Sequence, residues 1–248
     1  MIAALVRRGL NEILRVPGGS LPGVLAPTIF MLGLSAVFGE ASRLRSYGGV
    51  DFLTFICGVG MLQGAGFTGA ATGVNLARDI EQGWFDRLLL SPTPRPVLLA
   101  GIVGSASLRA LLPATFLLIV ALALGVHWPG VLAMGLAAVL VMGLAAAAAC
   151  YAIVLALRFR TQQAAPLMQV GSLAAVLLTT AYAPRELLSG WLRAIVDVNP
   201  VTHVLEGVRQ GFVGDVTWAT TWPALLAVAG LVTVFGALAV RGMSRQGQ

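Results

Sequence analysis

The chain has 248 residues, of which 58% are hydrophobic and 10% are charged, whereas an average soluble domain is about 45–50% apolar and about 25% charged. Apolar runs of about 20 residues recur, and each can cross a hydrocarbon core of about 30 Å. Runs of this length and apolarity exclude a soluble protein. Because the runs are continuous rather than alternating, they predict an all-α membrane protein. All 16 basic residues are arginine, which excludes a lysine-dependent Walker A ATPase and a Schiff-base enzyme.

Residues 1–16 predict an amphipathic helix that lies in the membrane interface. Apolar side chains recur at helical spacing, and Arg7, Arg8 and Arg15 lie on the opposite face, as in other interfacial helices. Pro17 then ends the pattern. A cleaved signal peptide is the alternative, but the apolar run that follows is too long for one.

Six membrane spans follow, and the chain, residues 1–248, is interpreted as a single transmembrane domain. We place the spans at about 21–39, 52–74, 101–124, 131–156, 164–183 and 222–240.

Arginine asymmetry orients the predicted bundle, because basic residues are retained on the cytoplasmic side. With the N-terminus inside, ten arginines lie in cytoplasmic segments and five in outer loops. The outer five are Arg43, Arg45, Arg185, Arg193 and Arg209. We therefore expect a multi-pass protein of the cell (plasma or inner) membrane with both termini cytoplasmic. Arginines scattered beside spans also account for the net charge of +6, so no nucleic acid partner is expected.

The segment 77–90 predicts a short cytoplasmic helix between the second and third spans. Its apolar stripe consists of Ile80, Trp84, Phe85, Leu88 and Leu89. The rest of its surface carries both acidic and basic side chains, among them Glu81, Asp86 and Arg87. Mixed charge suits a groove on a protein partner better than an anionic lipid surface. A helix that rests on lipid headgroups is the alternative.

The stretch RDIEQGWFDRLLLSPTPR, residues 78–95, resembles the coupling-helix region of ABC-2-type exporter permeases, the daunorubicin-resistance-like membrane subunits. The family pattern falls on Glu81, Gly83, Asp86, Arg87, Leu88, Leu89, Ser91, Pro92 and Arg95. A second stretch, NPVTHVLEGVRQGF at 199–212, is similar to the Asn-Pro segment before the last span of that family. With the six-span layout, the resemblance covers essentially the whole chain. Trp84, where a small hydroxyl residue is common, and Asp86, where glutamate is usual, depart from the pattern.

The resemblance implies that a separate ABC ATPase subunit supplies ATP hydrolysis, so the permease itself is not an enzyme. ATP and Mg²⁺ would bind to that partner, and no cofactor or metal is expected on this chain. A second permease copy or a paralogue, together with membrane lipids, would complete the assembly. The residues implied to couple to the ATPase are Ile80, Glu81, Gly83, Trp84, Phe85, Asp86, Arg87, Leu88 and Leu89.

The segment 184–221 carries two helical patterns separated by Asn199 and Pro200. The residues alone allow a pair of helices on the outer membrane surface, whereas the resemblance implies re-entrant helices that line or gate an exit path. His203 and Glu206 are candidate exit-path residues alongside the Asn-Pro pair. Arg109, the one charge near a span interior, is a further candidate, although an arginine that snorkels to the membrane surface would explain it as well.

The expected function is export of a drug, lipid or glycoconjugate by alternating access. A secondary ion-coupled carrier is the first alternative, but no span core shows the ionisable relay such carriers need. A non-transport membrane protein is the second, and no catalytic constellation supports it.

Overall fold

The computed structural model describes residues 17–39, 50–89 and 93–245, and the regular structure in these ranges is helical throughout. The helices are α1 (Pro17–Phe38), α2 (Phe52–Glu81), α3 (Trp84–Leu89), α4 (Arg95–Arg109), α5 (Leu111–Ala123), α6 (Val131–Phe159), α7 (Ala165–Leu177), α8 (Gly190–Val198), α9 (Pro200–Val213) and α10 (Trp218–Arg245). The interface helix predicted at 1–16 lies outside the described residues.

Four helices in the described ranges are long and apolar enough to cross a membrane. They are α2, α4 continued by α5, α6, and α10. Of the other two predicted spans, the first corresponds to α1, which has 22 residues, and the fifth corresponds to α7, which has 13 residues, or about 20 Å of helix. The fifth span was predicted to run to residue 183, but its helix ends at Leu177, and irregular chain follows.

The prediction of two helices around the Asn199-Pro200 break is confirmed by α8 and α9. Pro200 occupies the first turn of α9, where its missing N–H is not needed. The last long helix begins at Trp218, earlier than the predicted residue 222.

The central helix is α2, which packs against α1, α5, α6 and α7. Glycines let it approach α6 closely: a Cβ on Gly69 would lie 2.5 Å from Ala148 Cβ and 2.7 Å from Ala149 N. Gly73 contacts Ala152 in the same way one turn further along. Small residues at such positions allow two membrane helices to pack backbone to backbone.

The bundle has two ends, which lie at opposite ends of α2. The first, called the α3 end, comprises residues 78–89, 157–164 and the last turn of α10. The second, called the pocket end, comprises residues 178–217 and the first turns of α2. From Phe55 to Glu81, α2 advances about 39 Å at 1.5 Å per residue.

Substitution Gly69→Val should lower the melting temperature of the detergent-solubilised protein, because the added side chain forces α2 and α6 apart. Overpacking of this kind typically costs about 1–3 kcal/mol. Gly135→Val on α6 is the control, since a Cβ there meets nothing within 4 Å. Equal melting temperatures for the two variants would contradict the close α2–α6 packing.

Candidate functional site

The segment predicted as a single coupling helix over 77–90 contains parts of two helices instead. The central helix α2 continues to Glu81, the chain turns at Gln82 and Gly83, and α3 begins at Trp84. Gly83 has a φ of +68°, a left-handed conformation that favours glycine and commonly ends helices. Its N–H donates to the carbonyl of Ile80 at 3.0 Å. The glycine therefore redirects the chain so that α3 leaves the axis of α2.

The predicted apolar stripe is divided between the bundle and the outside. Phe85 is 1% exposed, and Ile80 is also buried, in a cluster with Leu157 of α6 and Met243 of α10. Trp84, by contrast, is 40% exposed. Phe85 therefore anchors α3 to its own bundle, whereas Trp84 is presented outward. Leu88 is partly buried against the same cluster, and the side chain of Leu89 lies outside the described part.

The acidic residues of this segment face different partners. The Glu81 carboxylate accepts hydrogen bonds from Thr161 Oγ1 at 2.7 Å and from the Gln162 N–H at 2.9 Å. Gln162 Nε2 donates to its second oxygen at 2.5 Å. Asp86 lies 3.8 Å from Arg160, and both side chains are more than half exposed. Glu81 thus binds the α6–α7 connection, and Asp86 stays at the surface.

A half-open cavity of about 480 Å³ lies at the pocket end. Its lining consists of Phe55, Thr180, Pro184, Arg185, Glu186, Val196, Asp197, Thr202, His203, Glu206 and Arg209. Of the predicted exit-path residues, the structure brings His203 and Glu206 into this cavity. Asn199 and Pro200 lie beside it without lining it, and Arg109 is elsewhere.

Arg209 was predicted in an outer loop segment; it lies within α9 and is 4% exposed. Its Nε donates to the Phe55 carbonyl at 3.1 Å, and its Nη2 donates to the carbonyls of Thr180 at 2.9 Å and Ala181 at 3.3 Å. Its Nη1 donates to Glu206 Oε1 at 3.0 Å and to Thr180 Oγ1 at 3.3 Å. The number of these bonds, five, equals the number of N–H donors of a guanidinium.

The Arg209 guanidinium also lies 3.8 Å above the centre of the Phe55 ring, a cation–π geometry. Thr180 Oγ1 donates to Glu206, so the same carboxylate holds both the arginine and the irregular segment. The sequence signal for this burial was available: Arg209 follows Leu205 by four residues and therefore lies beside the apolar stripe of α9.

Asn199 fixes the junction of α7, α8 and α9. Its Oδ1 accepts from the Val201 N–H at 3.0 Å and so caps α9. Its Nδ2 donates to the carbonyls of Ala175 at 2.8 Å and Leu178 at 2.7 Å. The side chain thus serves the backbone of the bundle, and this use accounts for its position beside the cavity.

Arg185 and Asp197 form a two-pronged ion pair at the rim of the cavity, with two hydrogen bonds of 2.7 Å. These bonds hold the pKa of Asp197 below its ordinary value, and the same pairing raises the pKa of Arg185. The pair ties the short turn before α8 to the end of α8. No group of three metal-ligating side chains occurs in the described ranges.

Arg109 lies where α4 gives way to α5, and its Nη2 donates to Thr72 Oγ1 of α2 at 2.8 Å. Thr72 in turn donates to the carbonyl of Thr68. Arg109 therefore ties the junction of α4 and α5 to the central helix and is remote from the cavity.

The sequence profile of the ABC-2 type transporter family matches residues 1–213. The chain belongs to this family. Its relatives include the "Daunorubicin resistance ABC transporter permease protein DrrB1" of Streptomyces coeruleorubidus, which is 26% identical over 88% of this chain and 77% of that protein. The "Probable multidrug ABC transporter permease YbhR" of Escherichia coli K12 is 28% identical over 64% of this chain, but this chain matches only 44% of its length.

Membership of this ABC-2 family explains the high apolar content, because the chain is a multi-pass membrane protein and a permease subunit. Its family associates with ABC ATPase subunits. The resemblance seen in the sequence around Glu81 to Arg95 is therefore confirmed at the level of the family.

Substitution Arg209→Met should lower the free energy of unfolding of this permease by about 3 kcal/mol or more, because three carbonyls lose their donor and Glu206 loses its cation. The measurement is thermal unfolding in detergent. The exposed Arg241→Met is the control and should have little effect. Equal stability of the two variants would show that the Arg209 contacts do not hold the segment.

Proposed function

We propose that this chain is the membrane-spanning subunit of an ATP-driven exporter and that its α3 end faces an ATPase in the cytoplasm. In this proposal, α1 and α7 with residues 178–183 complete six passages of the membrane, and both termini are cytoplasmic. The separation of the α3 end from the pocket end, by about 39 Å of α2, supports it, because that distance exceeds a hydrocarbon core of about 30 Å.

The single observation that carries the ATPase contact is the division of burial in α3. Phe85 fixes this short helix to the bundle, while Trp84 is 40% exposed and stands beside the exposed charges Asp86 and Arg87. An aromatic side chain surrounded by polar groups is typical of the centre of a protein interface. The absence of lysine fits a permease that leaves nucleotide binding to a partner.

The cavity at the pocket end is the proposed exit route for a drug, lipid or glycoconjugate. Its lining combines apolar side chains with the carboxylate of Glu206 and the imidazole of His203, as in sites that bind amphipathic molecules. The assembly we propose contains two permeases, either two copies of this chain or this chain and a paralogue, with two ATPases and surrounding lipid. ATP and Mg²⁺ bind to the ATPases.

Substitution Trp84→Ala should weaken binding of the cognate ATPase about thirtyfold, which corresponds to about 2 kcal/mol for loss of an aromatic anchor. The measurement is titration of the detergent-solubilised permease with the ATPase. Membrane abundance should be unchanged, because Trp84 is not in the core, whereas Phe85→Ala should lower abundance. Gln82→Ala, an exposed neighbour, is the control. Wild-type ATPase affinity in the Trp84→Ala permease would refute the contact.

A further inference from the structure

The α3 end contains a hydrogen-bonded latch formed by Arg78, Glu81, Thr161 and Gln162. Glu81 receives three hydrogen bonds of 2.5–2.9 Å from Thr161 and Gln162. Arg78, one turn earlier on α2, donates from Nε to Gln162 Oε1 at 3.3 Å. Hydrogen bonds to an ionised group are stronger than neutral ones. The latch therefore joins the end of α2, next to α3, to the connection between α6 and α7.

The latch leads directly into α7. Residues 162–164 form one 3₁₀ turn, and α7 begins at Ala165 without an intervening loop. Along its length α7 rests on α2, where Ser172 lies against Gly66. A helix that continues from a fixed turn moves with that turn, because its backbone hydrogen bonds make it rigid.

The other end of α7 is also held. Asn199 binds the carbonyl of Leu178, the first residue after the helix, at 2.7 Å. Arg209 binds the carbonyls of Thr180 and Ala181 and contacts Phe55 and Glu206. Because all five donors of Arg209 have acceptors within the chain, this residue holds the cavity wall and has none left for a transported molecule.

We propose that α7 transmits movement from the α3 end to the cavity, with Glu81 and Arg209 as the positioning residues at its two ends. This inference rests on the proposed function, since it needs an ATPase that moves α3. The movement would pass through a contiguous chain of contacts along the roughly 20 Å of α7. In this proposal Glu81 acts through its bonds to Thr161 and Gln162 within the permease rather than by contact with the ATPase.

The test measures how nucleotide changes access to the cavity when the latch is altered. His203→Cys places a thiol on the exposed part of the lining, and both native cysteines, Cys57 and Cys150, are buried. The complex of permease and ATPase in nanodiscs is labelled with a polar maleimide, without nucleotide and after trapping with ATP and vanadate. We expect the two labelling rates to differ by about fivefold or more, as is typical of allosteric coupling.

Glu81→Gln is the latch variant, because it keeps the shape of the side chain but turns an amide donor toward the Gln162 donor. In this variant the ratio of labelling rates, measured in complexes assembled with saturating ATPase, should fall below about twofold, well under typical coupling. Adding Gln162→Glu should restore the ratio, because the amide at 81 can then donate to a carboxylate that also pairs with Arg78. Gln163→Ala is the control and should leave the ratio unchanged.

A full nucleotide response in Glu81→Gln would overturn the role of α7, and so would failure of the double substitution to restore a lost response. A parent complex that binds and hydrolyses ATP without any change in labelling would instead contradict the proposed ATP-driven function, and the inference with it.

Labelling of Cys150 reports unfolding. If it appears in Glu81→Gln, the same ratio is measured in Thr161→Val, which removes the hydroxyl that donates to Glu81 and accepts from the Gln163 N–H, and an unchanged ratio there would also overturn the inference.

Discussion

Backbone carbonyls in an apolar bundle need hydrogen-bond donors, and the chain between α7 and α8 leaves its helix where water is scarce. Unsatisfied backbone groups in such surroundings cost several kcal/mol each. Asn199, which caps α9, and Arg209, which lies within α9, supply the missing donors. The need to satisfy these carbonyls therefore explains three features together: the early end of α7, the irregular wall of the cavity and the burial of a charged guanidinium. Glu206 and the Phe55 ring complete it by offsetting the charge.

The position of the two sites follows from α2. Glycines such as Gly69 allow this helix to lie at the centre of the bundle, in contact with α6 and α7. Its first turns contribute Phe55 to the cavity, and its last turn carries Glu81 and leads into α3. A single continuous helix thus fixes the distance between the surface proposed for the ATPase and the cavity proposed for the exported molecule.

Long apolar runs predicted the four long helices, and the Asn199-Pro200 pair predicted the break between α8 and α9, because proline lacks an N–H and fits a first turn. Gly83 was a sequence signal for the break between α2 and α3, but the continuous apolar stripe around it favoured a single helix. The early end of α7 was not predictable from its own residues. The carbonyls of Thr180 and Ala181, just after this end, are satisfied by Arg209, some thirty residues later, and only the tertiary structure brings the two together.

Two-sided thiol labelling of intact and permeabilised cells tests most directly the central claim that the α3 end and the pocket end lie on opposite faces of the membrane. Single cysteines are placed at Gln82 and at Asp215, both exposed, and labelled with a membrane-impermeant maleimide. The account predicts that the thiol at 215 reacts in intact cells and the thiol at 82 only after permeabilisation. Reaction of both thiols under the same condition would contradict it.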